Sequence, residues 1–319
     1  MSALPVGRPD PGRMLWITAA WGACFVAIRW GLRDAPVLWF AALRALVAGV
    51  ALIVVARVQH RPQPSDWRAW RLITLLAITN ASIAFAAMFA GVDGLATGAA
   101  AVLANAQPLL ILLPAWWLYG ERVSAQSGAA LFVGFVGLLV VTVPGGGGSG
   151  ASLSILAAVA ITAGTLLSRR LAGIDVVQAT GWHLLIGGVV LAAAAGAVEG
   201  VPRIDWTVRF VASLAFLALV GTALAYWAWF TETLRCPLGS LAAWTFLTPV
   251  FGVGFGVLLT NESPDPWVAT GVVLVLASLW VSVQGTPGHR RAESPIGDLE
   301  QSGGDGSAER APRSPRARR

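Results

Sequence analysis

Arg44 is a basic residue within a long apolar stretch, in the segment "FAALRALVAGV". It lies about eight residues, or ~12 Å at 1.5 Å per residue, inside that stretch. A charge at such depth in a membrane is costly unless it is paired, so it is a candidate for function. Because a guanidinium binds a carboxylate or phosphate through two hydrogen bonds, we expect Arg44 to bind an anionic group. A brace against helix-end carbonyls is the structural alternative.

Two amides and a proline stand together at the start of a second apolar run, "NAQPLLILLPAWWLYGE". Asn105 and Gln107 precede Pro108, and an unpaired polar group or a missing backbone hydrogen bond is costly at lipid depth. Pro108 predicts a kink or a loosened turn in this helix. The two amides either bind substrate or tie the loosened helix to its neighbours.

A matching set of residues occurs 141 positions further along the chain. Pro249 corresponds to Pro108 as a second predicted kink, Thr248 corresponds to Gln107, and Trp244 lies one turn earlier. Trp244 is not at the end of an apolar run, so stacking on substrate and ordinary packing are its two interpretations. Similar aromatic candidates are Trp21, Trp39, Tyr226 and Trp227.

No group of residues has the spacing of a catalytic or metal site. The three histidines, at positions 60, 183 and 289, are scattered, and the two cysteines, Cys24 and Cys236, lie far apart in the sequence. Neither a nucleophile–base arrangement nor a metal-ligand motif is present. The sequence therefore predicts no enzyme, no metal and no cofactor.

The elements that position these residues are apolar helices. The chain is 56% hydrophobic and 12% charged, with a mean hydropathy of +0.70, which is typical of an integral membrane protein. Runs of about 20 apolar residues predict an all-α fold with ten transmembrane helices. These are 14–32, 37–56, 72–91, 95–119, 125–143, 151–168, 176–198, 209–231, 238–259 and 266–284.

The chain has a net charge of +6, and its arginines are distributed unequally between the two predicted sides of the membrane. This charge therefore does not indicate nucleic acid binding. With a cytoplasmic N-terminus, arginine is concentrated in the segments predicted to lie inside, and four arginines lie outside, at positions 29, 33, 203 and 209. The positive-inside rule therefore predicts both termini in the cytoplasm. The segment 285–319, rich in Gly, Ser and Pro, is predicted to be disordered.

The stretches "PLLILLPAWWLYGE" and "PVFGVGFGVLLTNE" place proline and glutamate at the same separation, 141 residues apart. The same offset superimposes five predicted spans on five, which indicates an internal repeat. Because five is odd, the two halves have inverted topology, the usual basis of alternating access around a site between them. The predicted divisions are a cytoplasmic tail 1–13, a first repeat 14–143, a Gly-rich linker 144–150, a second repeat 151–284 and a cytoplasmic tail 285–319.

These paired stretches, together with "WGACFVAIRWGL" and "LWFAALRALVAG", resemble the EamA-type branch of the drug/metabolite transporter superfamily. The resemblance covers about residues 14 to 283. It implies two five-helix units, an arginine in the second helix, and export of amino acids or other small metabolites from bacteria. Relatives of that branch move nucleotide sugars or sugar phosphates.

We therefore expect a secondary transporter in a bacterial plasma membrane that exports small polar metabolites, such as amino acids. Arg44 would bind an anionic group, and His183, the sole histidine within a predicted span, would be a candidate for proton coupling. The expected partners are the substrate and the lipid bilayer, and a homodimer is compatible with the sequence. The alternatives are a nucleotide-sugar carrier, which would need more basic residues in its cavity, a membrane sensor or scaffold, and a membrane enzyme.

Overall fold

A computed structural model describes residues 7–120, 125–142, 149–260 and 266–284. The described residues form helices and connecting turns, with no strand among them. The predicted C-terminal tail and residues 144–148 of the predicted linker lie outside the described ranges. The helices are α1 Pro11–Gly31, α2 Val37–Val58, α3 Trp67–Gly94, α4 Thr97–Ala104, α5 Gln107–Tyr119, α6 Ala125–Thr142, α7 Ser149–Ser168, α8 Val176–Val198, α9 Val208–Thr233, α10 Leu238–Thr245, α11 Leu247–Thr260 and α12 Pro266–Gln284.

Seven helices within the described ranges are long and apolar enough to cross a membrane. They are Pro11–Gly31, Val37–Val58, Trp67–Gly94, Gly150–Leu171, Val176–Val198, Val208–Thr233 and Leu238–Thr260. Each corresponds to one of the ten predicted spans, and the other three predicted spans fall on α4 with α5, on α6 and on α12. The all-α membrane fold is therefore confirmed at the level of these seven helices.

Several helices begin earlier than the sequence predicted, because polar residues cap them outside the apolar run. Asp10 accepts a hydrogen bond from the Arg13 backbone N–H, 2.7 Å away, so α1 begins at Pro11, three residues before its predicted start. Asp66 accepts from the Ala69 N–H at 2.6 Å, so α3 begins five residues before its predicted start. A hydropathy search misses such amphipathic first turns.

The irregular parts of the helices recur at an offset of about 141 residues. A wide π-helical turn interrupts α3 at Ala77–Ile83 and α9 at Phe216–Leu224. The chain leaves helical geometry again between α4 and α5, and between α10 and α11. Because π turns and helix breaks concentrate at functional sites, their recurrence marks the same two places in each half.

Close contacts between helix backbones hold the bundle together. α2 packs along α8, and α6 packs along α12. At Gly49 of α2, a Cβ atom would lie 2.7 Å from the Leu185 backbone nitrogen and 3.0 Å from the Gly181 carbonyl oxygen of α8. The α2–α8 contact is therefore close enough that only a glycine fits, as is common where membrane helices pack through small residues.

We expect Gly49→Ala to lower the free energy of unfolding by roughly 1–3 kcal/mol, because the neighbouring atoms belong to rigid backbone. Gly196→Ala in α8 is the matched control, since nothing lies within 4 Å of its Cβ position. There, the higher helix propensity of alanine should leave stability unchanged or raise it by up to ~1 kcal/mol. Reversible unfolding in mixed micelles measures both, and equal effects would contradict the close contact.

Candidate functional site

A cavity lies among α1, α2, α3, α4, α5, α7 and α9. It holds about 40 Å³ of space that a water-sized molecule can occupy. Residues from both halves of the chain line it: Trp21, Cys24, Phe25, Arg44, Asn80, Met88, Ala104, Asn105, Gln107, Ile161, Thr165, Tyr226 and Trp229. Of the predicted binding residues, Arg44, Asn105 and Gln107 line this cavity, as do the aromatic candidates Trp21 and Tyr226.

Arg44 is buried, with 1% of its surface exposed. Its Nε donates to the Thr222 hydroxyl at 2.7 Å, and Nη2 lies 3.5 Å from the Gly221 carbonyl oxygen. The guanidinium carbon stands 4.4 Å from the centre of the Phe85 ring, within the range of a cation–π contact. The remaining contacts are weak ones to sulfur, 3.8 Å to Met88 Sδ and 3.9 Å to Cys24 Sγ.

The π-helical turn of α9 creates the acceptors that Arg44 uses. Thr222 Oγ1 donates to the Leu217 carbonyl five residues earlier, at 2.7 Å, and this fixes its lone pairs toward Arg44. The Gly221 carbonyl belongs to the same turn, which widens the helix and leaves carbonyls available to a side chain. The turn thus provides the guanidinium with two neutral acceptors.

No carboxylate lies within ion-pair distance of Arg44 among the described residues. A buried cation normally pairs with an anion, since neutral hydrogen bonds compensate only part of its desolvation. Two of its nitrogen atoms, Nη1 and Nη2, have only weak partners. The site is therefore electrostatically suited to an anionic group that comes from outside the chain.

The amides line the cavity in different ways. Gln107 Nε2 donates to Thr165 Oγ1 of α7 at 3.1 Å, so this amide ties α5 to α7. Asn105 Nδ2 donates to the Ala101 carbonyl at 2.7 Å and closes the end of α4. Asn80, in the π-helical turn of α3, is 3% exposed and has no hydrogen-bond partner among the described residues. Its amide is thus available to a ligand.

Three aromatic residues form one wall of the cavity. The Trp21 ring meets Tyr226 edge-on at 6.2 Å between centroids, and it meets Trp229 at 5.2 Å. The indole N–H of Trp21 is buried and has no hydrogen-bond partner within the described part of the chain. This wall combines apolar faces with an unused donor, as small-molecule sites commonly do.

His183 lies behind the aromatic wall and does not line the cavity. Its ring stacks on Tyr226, with 6.1 Å between centroids and 7° between planes. Nδ1 contacts the Ala179 carbonyl oxygen at 3.2 Å, whereas Nε2 is buried and has no partner in the ranges that the structure describes. An unpaired buried nitrogen is unusual in a folded protein and requires an explanation.

Two predicted binding residues, Trp244 and Thr248, are not among the residues that line this cavity. Trp244 is half-buried, and Thr248 is fully buried with no hydrogen-bond partner for its hydroxyl among the described residues. Pro108 is the second residue of α5 and Pro249 the third residue of α11. Each follows a helix break, where a missing backbone N–H costs no intrahelical hydrogen bond.

Asn80 and Thr222 were missed by the sequence analysis. Asn80 had a usable signal, since an amide in an otherwise apolar span is rare and costly. Thr222 had none, because a threonine hydroxyl in a membrane helix usually bonds its own backbone. The π-helical turn that redirects this hydroxyl has no pattern in the sequence.

An all-α membrane fold around a central cavity, with a buried cation and an aromatic wall, defines the class of membrane carriers. A family model described as "EamA-like transporter family" matches residues 14–143 and 148–284. The chain therefore belongs to the EamA-like transporter family and is a multi-pass membrane transporter.

Curated relatives match most of the chain. An uncharacterized transporter of Synechocystis sp. is 29% identical over 285 residues, covering 82% of this chain and 86% of its own length. A probable amino-acid metabolite efflux pump of Escherichia coli K12 is 26% identical over 298 residues, covering 88% and 96%. One solved crystal structure superimposes with a TM-score of 0.70 at 19% identity, covering 85% of this chain and 98% of that one.

We expect Gln107 and Thr165 to be coupled by about 1 kcal/mol in a double-mutant cycle of unfolding, the usual net value of a buried hydrogen bond. The cycle uses Gln107→Leu and Thr165→Val. Thr162→Val is the control, because the Thr162 hydroxyl donates to the Ala158 carbonyl of its own helix. Coupling of Gln107 to Thr162 should be close to zero. A coupling free energy of zero between Gln107 and Thr165 would contradict the tie between α5 and α7. Substrate binding would then be the remaining role of Gln107.

Proposed function

We propose that this protein exports small metabolites that carry a carboxylate, with amino acids as the main class, by alternating access between two inverted repeats. The observation that carries the proposal is the burial of Arg44 without a carboxylate partner among the described residues. A substrate carboxylate would complete the guanidinium through two charge-assisted hydrogen bonds. Binding would then stabilise both the substrate and the arginine.

The rest of the cavity suits the remainder of an amino acid. The unpaired amide of Asn80 offers both a donor and an acceptor. The faces of Trp21, Tyr226 and Trp229 suit an apolar side chain, and they also attract an ammonium group through cation–π contacts. A site of this kind binds a zwitterion without a second buried charge in the protein.

The proposed topology has ten transmembrane helices, with α4 and α5 forming one and α10 and α11 another. Helix directions support inversion. Arg29, near the end of α1, donates to the Leu95 carbonyl, and Gly150, at the start of α7, approaches Gly94. α1 therefore ends where its counterpart α7 begins. With the arginine distribution, we infer that both termini are cytoplasmic in a bacterial plasma membrane.

The name of the Escherichia coli relative, a probable amino-acid metabolite efflux pump, supports both the substrate class and the export direction. A nucleotide-sugar carrier is disfavoured by the cavity itself. Arg44 is the one basic residue that lines it among the described residues, whereas a diphosphate calls for several cations.

We expect Arg44→Gln to lower the transport efficiency for an anionic or zwitterionic substrate by about 10- to 100-fold, the range of a buried charge-assisted contact. The measurement is uptake of a panel of radiolabelled amino acids into proteoliposomes. Arg57→Gln is the control, because Arg57 is exposed at the end of the same helix. Removing Arg44 should not unfold the protein, since no partner carboxylate is left uncompensated.

A competition experiment separates a bound carboxylate from an indirect effect. An amino acid should inhibit wild-type uptake far better than its carboxamide, and Arg44→Gln should lose this preference. Equal inhibition by acid and amide in the wild type would contradict the proposed role of Arg44.

We further propose His183 as the coupling residue, supported by its unpaired Nε2 behind the cavity wall. We expect an imposed pH gradient to accelerate wild-type transport and to have no effect on His183→Asn. His60→Asn is the matched control, since His60 is exposed and adopts a positive φ of 51° that asparagine tolerates. A gradient response that persists in His183→Asn would make His183 a packing residue.

A further inference from the structure

An ion pair between the buried Asp34 and the exposed Arg209 lies at one end of the helix bundle. Asp34, in the turn between α1 and α2, accepts from Arg209 Nε at 2.9 Å and from Arg209 Nη2 at 2.6 Å. The Thr207 hydroxyl donates to the same carboxylate at 3.0 Å, and the Asp205 N–H donates to the Asp34 carbonyl at 2.8 Å. Arg209 thereby holds the pKa of the Asp34 carboxyl below its usual range. We call Asp34, Thr207 and Arg209 the Asp34 lock.

The repeat offset of 141 gives each member of the lock a counterpart of the right chemistry. Asp34 corresponds to Asp175, and Arg209 corresponds to Arg68. Asp175 precedes α8 as Asp34 precedes α2, and Arg68 is the second residue of α3 as Arg209 is the second residue of α9. The sequence thus encodes a second acid–arginine pair at equivalent positions.

The two pairs lie at opposite ends of the bundle. α2 begins next to Asp34 and ends next to Arg61, which contacts Asp175. Its 22 residues span about 33 Å at 1.5 Å per residue. One pair is therefore placed to close each face of the membrane.

The second pair is not formed in this structure. Asp175 accepts instead from Arg61 Nη1 at 3.0 Å, and Arg68 is exposed with no ion-pair partner among the described residues. Arg68 lines an open cleft between the start of α3 and the turn that precedes α8, together with Arg71 and Arg170. The acid–arginine pair is thus formed at the Asp34 end, and among the described residues it is not formed at the Asp175 end.

We propose that Asp34–Arg209 and Asp175–Arg68 are alternating locks, each of which closes one face of the transporter while the other is open. The proposal rests on alternating access between inverted repeats, as proposed above. In such a cycle the two halves exchange conformations, so the contact made by one half is later made by the other. These four residues then set which face of the cavity is open, without contacting the substrate.

The two locks differ at one position, the residue that caps the helix, and this difference favours one of the two conformations. The cap of α9 is Thr207, whose hydroxyl adds a hydrogen bond to Asp34, whereas the corresponding cap of α3 is Asp66. When Arg68 meets Asp175, the Asp66 carboxylate comes near a like charge, and the two repel. The Asp34 lock is therefore the stronger of the two, in agreement with its being the one closed here.

Cys24 provides a reporter of which face is open, because its thiol lines the cavity beside Arg44 and is 2% exposed. A membrane-impermeant methanethiosulfonate is added to right-side-out or inside-out vesicles, and modification is followed by back-titration with a maleimide. Cys24→Ala identifies the modified residue.

Arg209→Gln should raise Cys24 modification from the Asp34 face and lower it from the Asp175 face, changing the ratio by at least about threefold, as loss of an ion pair predicts. Arg68→Gln should shift the ratio the other way, and Asp66→Asn, which keeps the helix cap, should shift it as Arg209→Gln does. Arg209→Lys should restore the wild-type ratio in part.

The matched controls are Arg203→Gln at the Asp34 end and Arg71→Gln at the Asp175 end, one turn from Arg68. Both leave the proposed pairs intact and should leave the ratio unchanged. A wild-type protein whose Cys24 reacts from both faces, with a ratio that neither Arg209→Gln nor Arg68→Gln changes, would overturn the locks while leaving alternating access in place. Reaction from one face alone in every variant would overturn the proposed function as well.

Discussion

The burial of the Arg44 guanidinium is the constraint on which the centre of this molecule depends. A cation in a membrane interior must have acceptors, and a regular α-helix offers none, because its carbonyls are occupied by its own N–H groups. The π-helical turn of α9 solves this by presenting the Gly221 carbonyl and the Thr222 hydroxyl. Since both are neutral, the charge is tolerated but not compensated, and an anion remains favourable.

The two halves of the chain have similar backbone geometry but different side chains at the site. The π-helical turns, the helix breaks and many helix starts recur at the same offset, yet the residues that form the site do not. Arg44 corresponds to Leu185, which packs against Gly49 in the α2–α8 contact. Gly221 corresponds to Asn80, so one π-helical turn offers a bare carbonyl and the other an amide. A symmetric scaffold can thus hold an asymmetric ligand such as an amino acid.

The sequence alone predicted the helical membrane fold, the repeat offset and five residues of the cavity, two of which are the aromatic candidates Trp21 and Tyr226. Arg44, Asn105 and Gln107 were found because polar groups in apolar runs are costly and therefore conspicuous. Trp244 and Thr248 were predicted as the matching set in the second half of the chain, but neither is among the residues that line the cavity. Asn80 and Thr222 depend on π-helical turns, which arise from tertiary packing and leave no periodic signal.

The two ends of the bundle also have equivalent backbone elements but differ in their side chains. Both faces carry an aspartate before a helix and an arginine in the first turn of another, and they differ in a threonine at one cap and an aspartate at the other. That single difference changes a cap that supports an ion pair into one that opposes it. A surface residue remote from the substrate can therefore decide which of the two conformations has the lower free energy. Substitutions in the locks can then change the balance between the two conformations without changing the affinity of the Arg44 site for substrate.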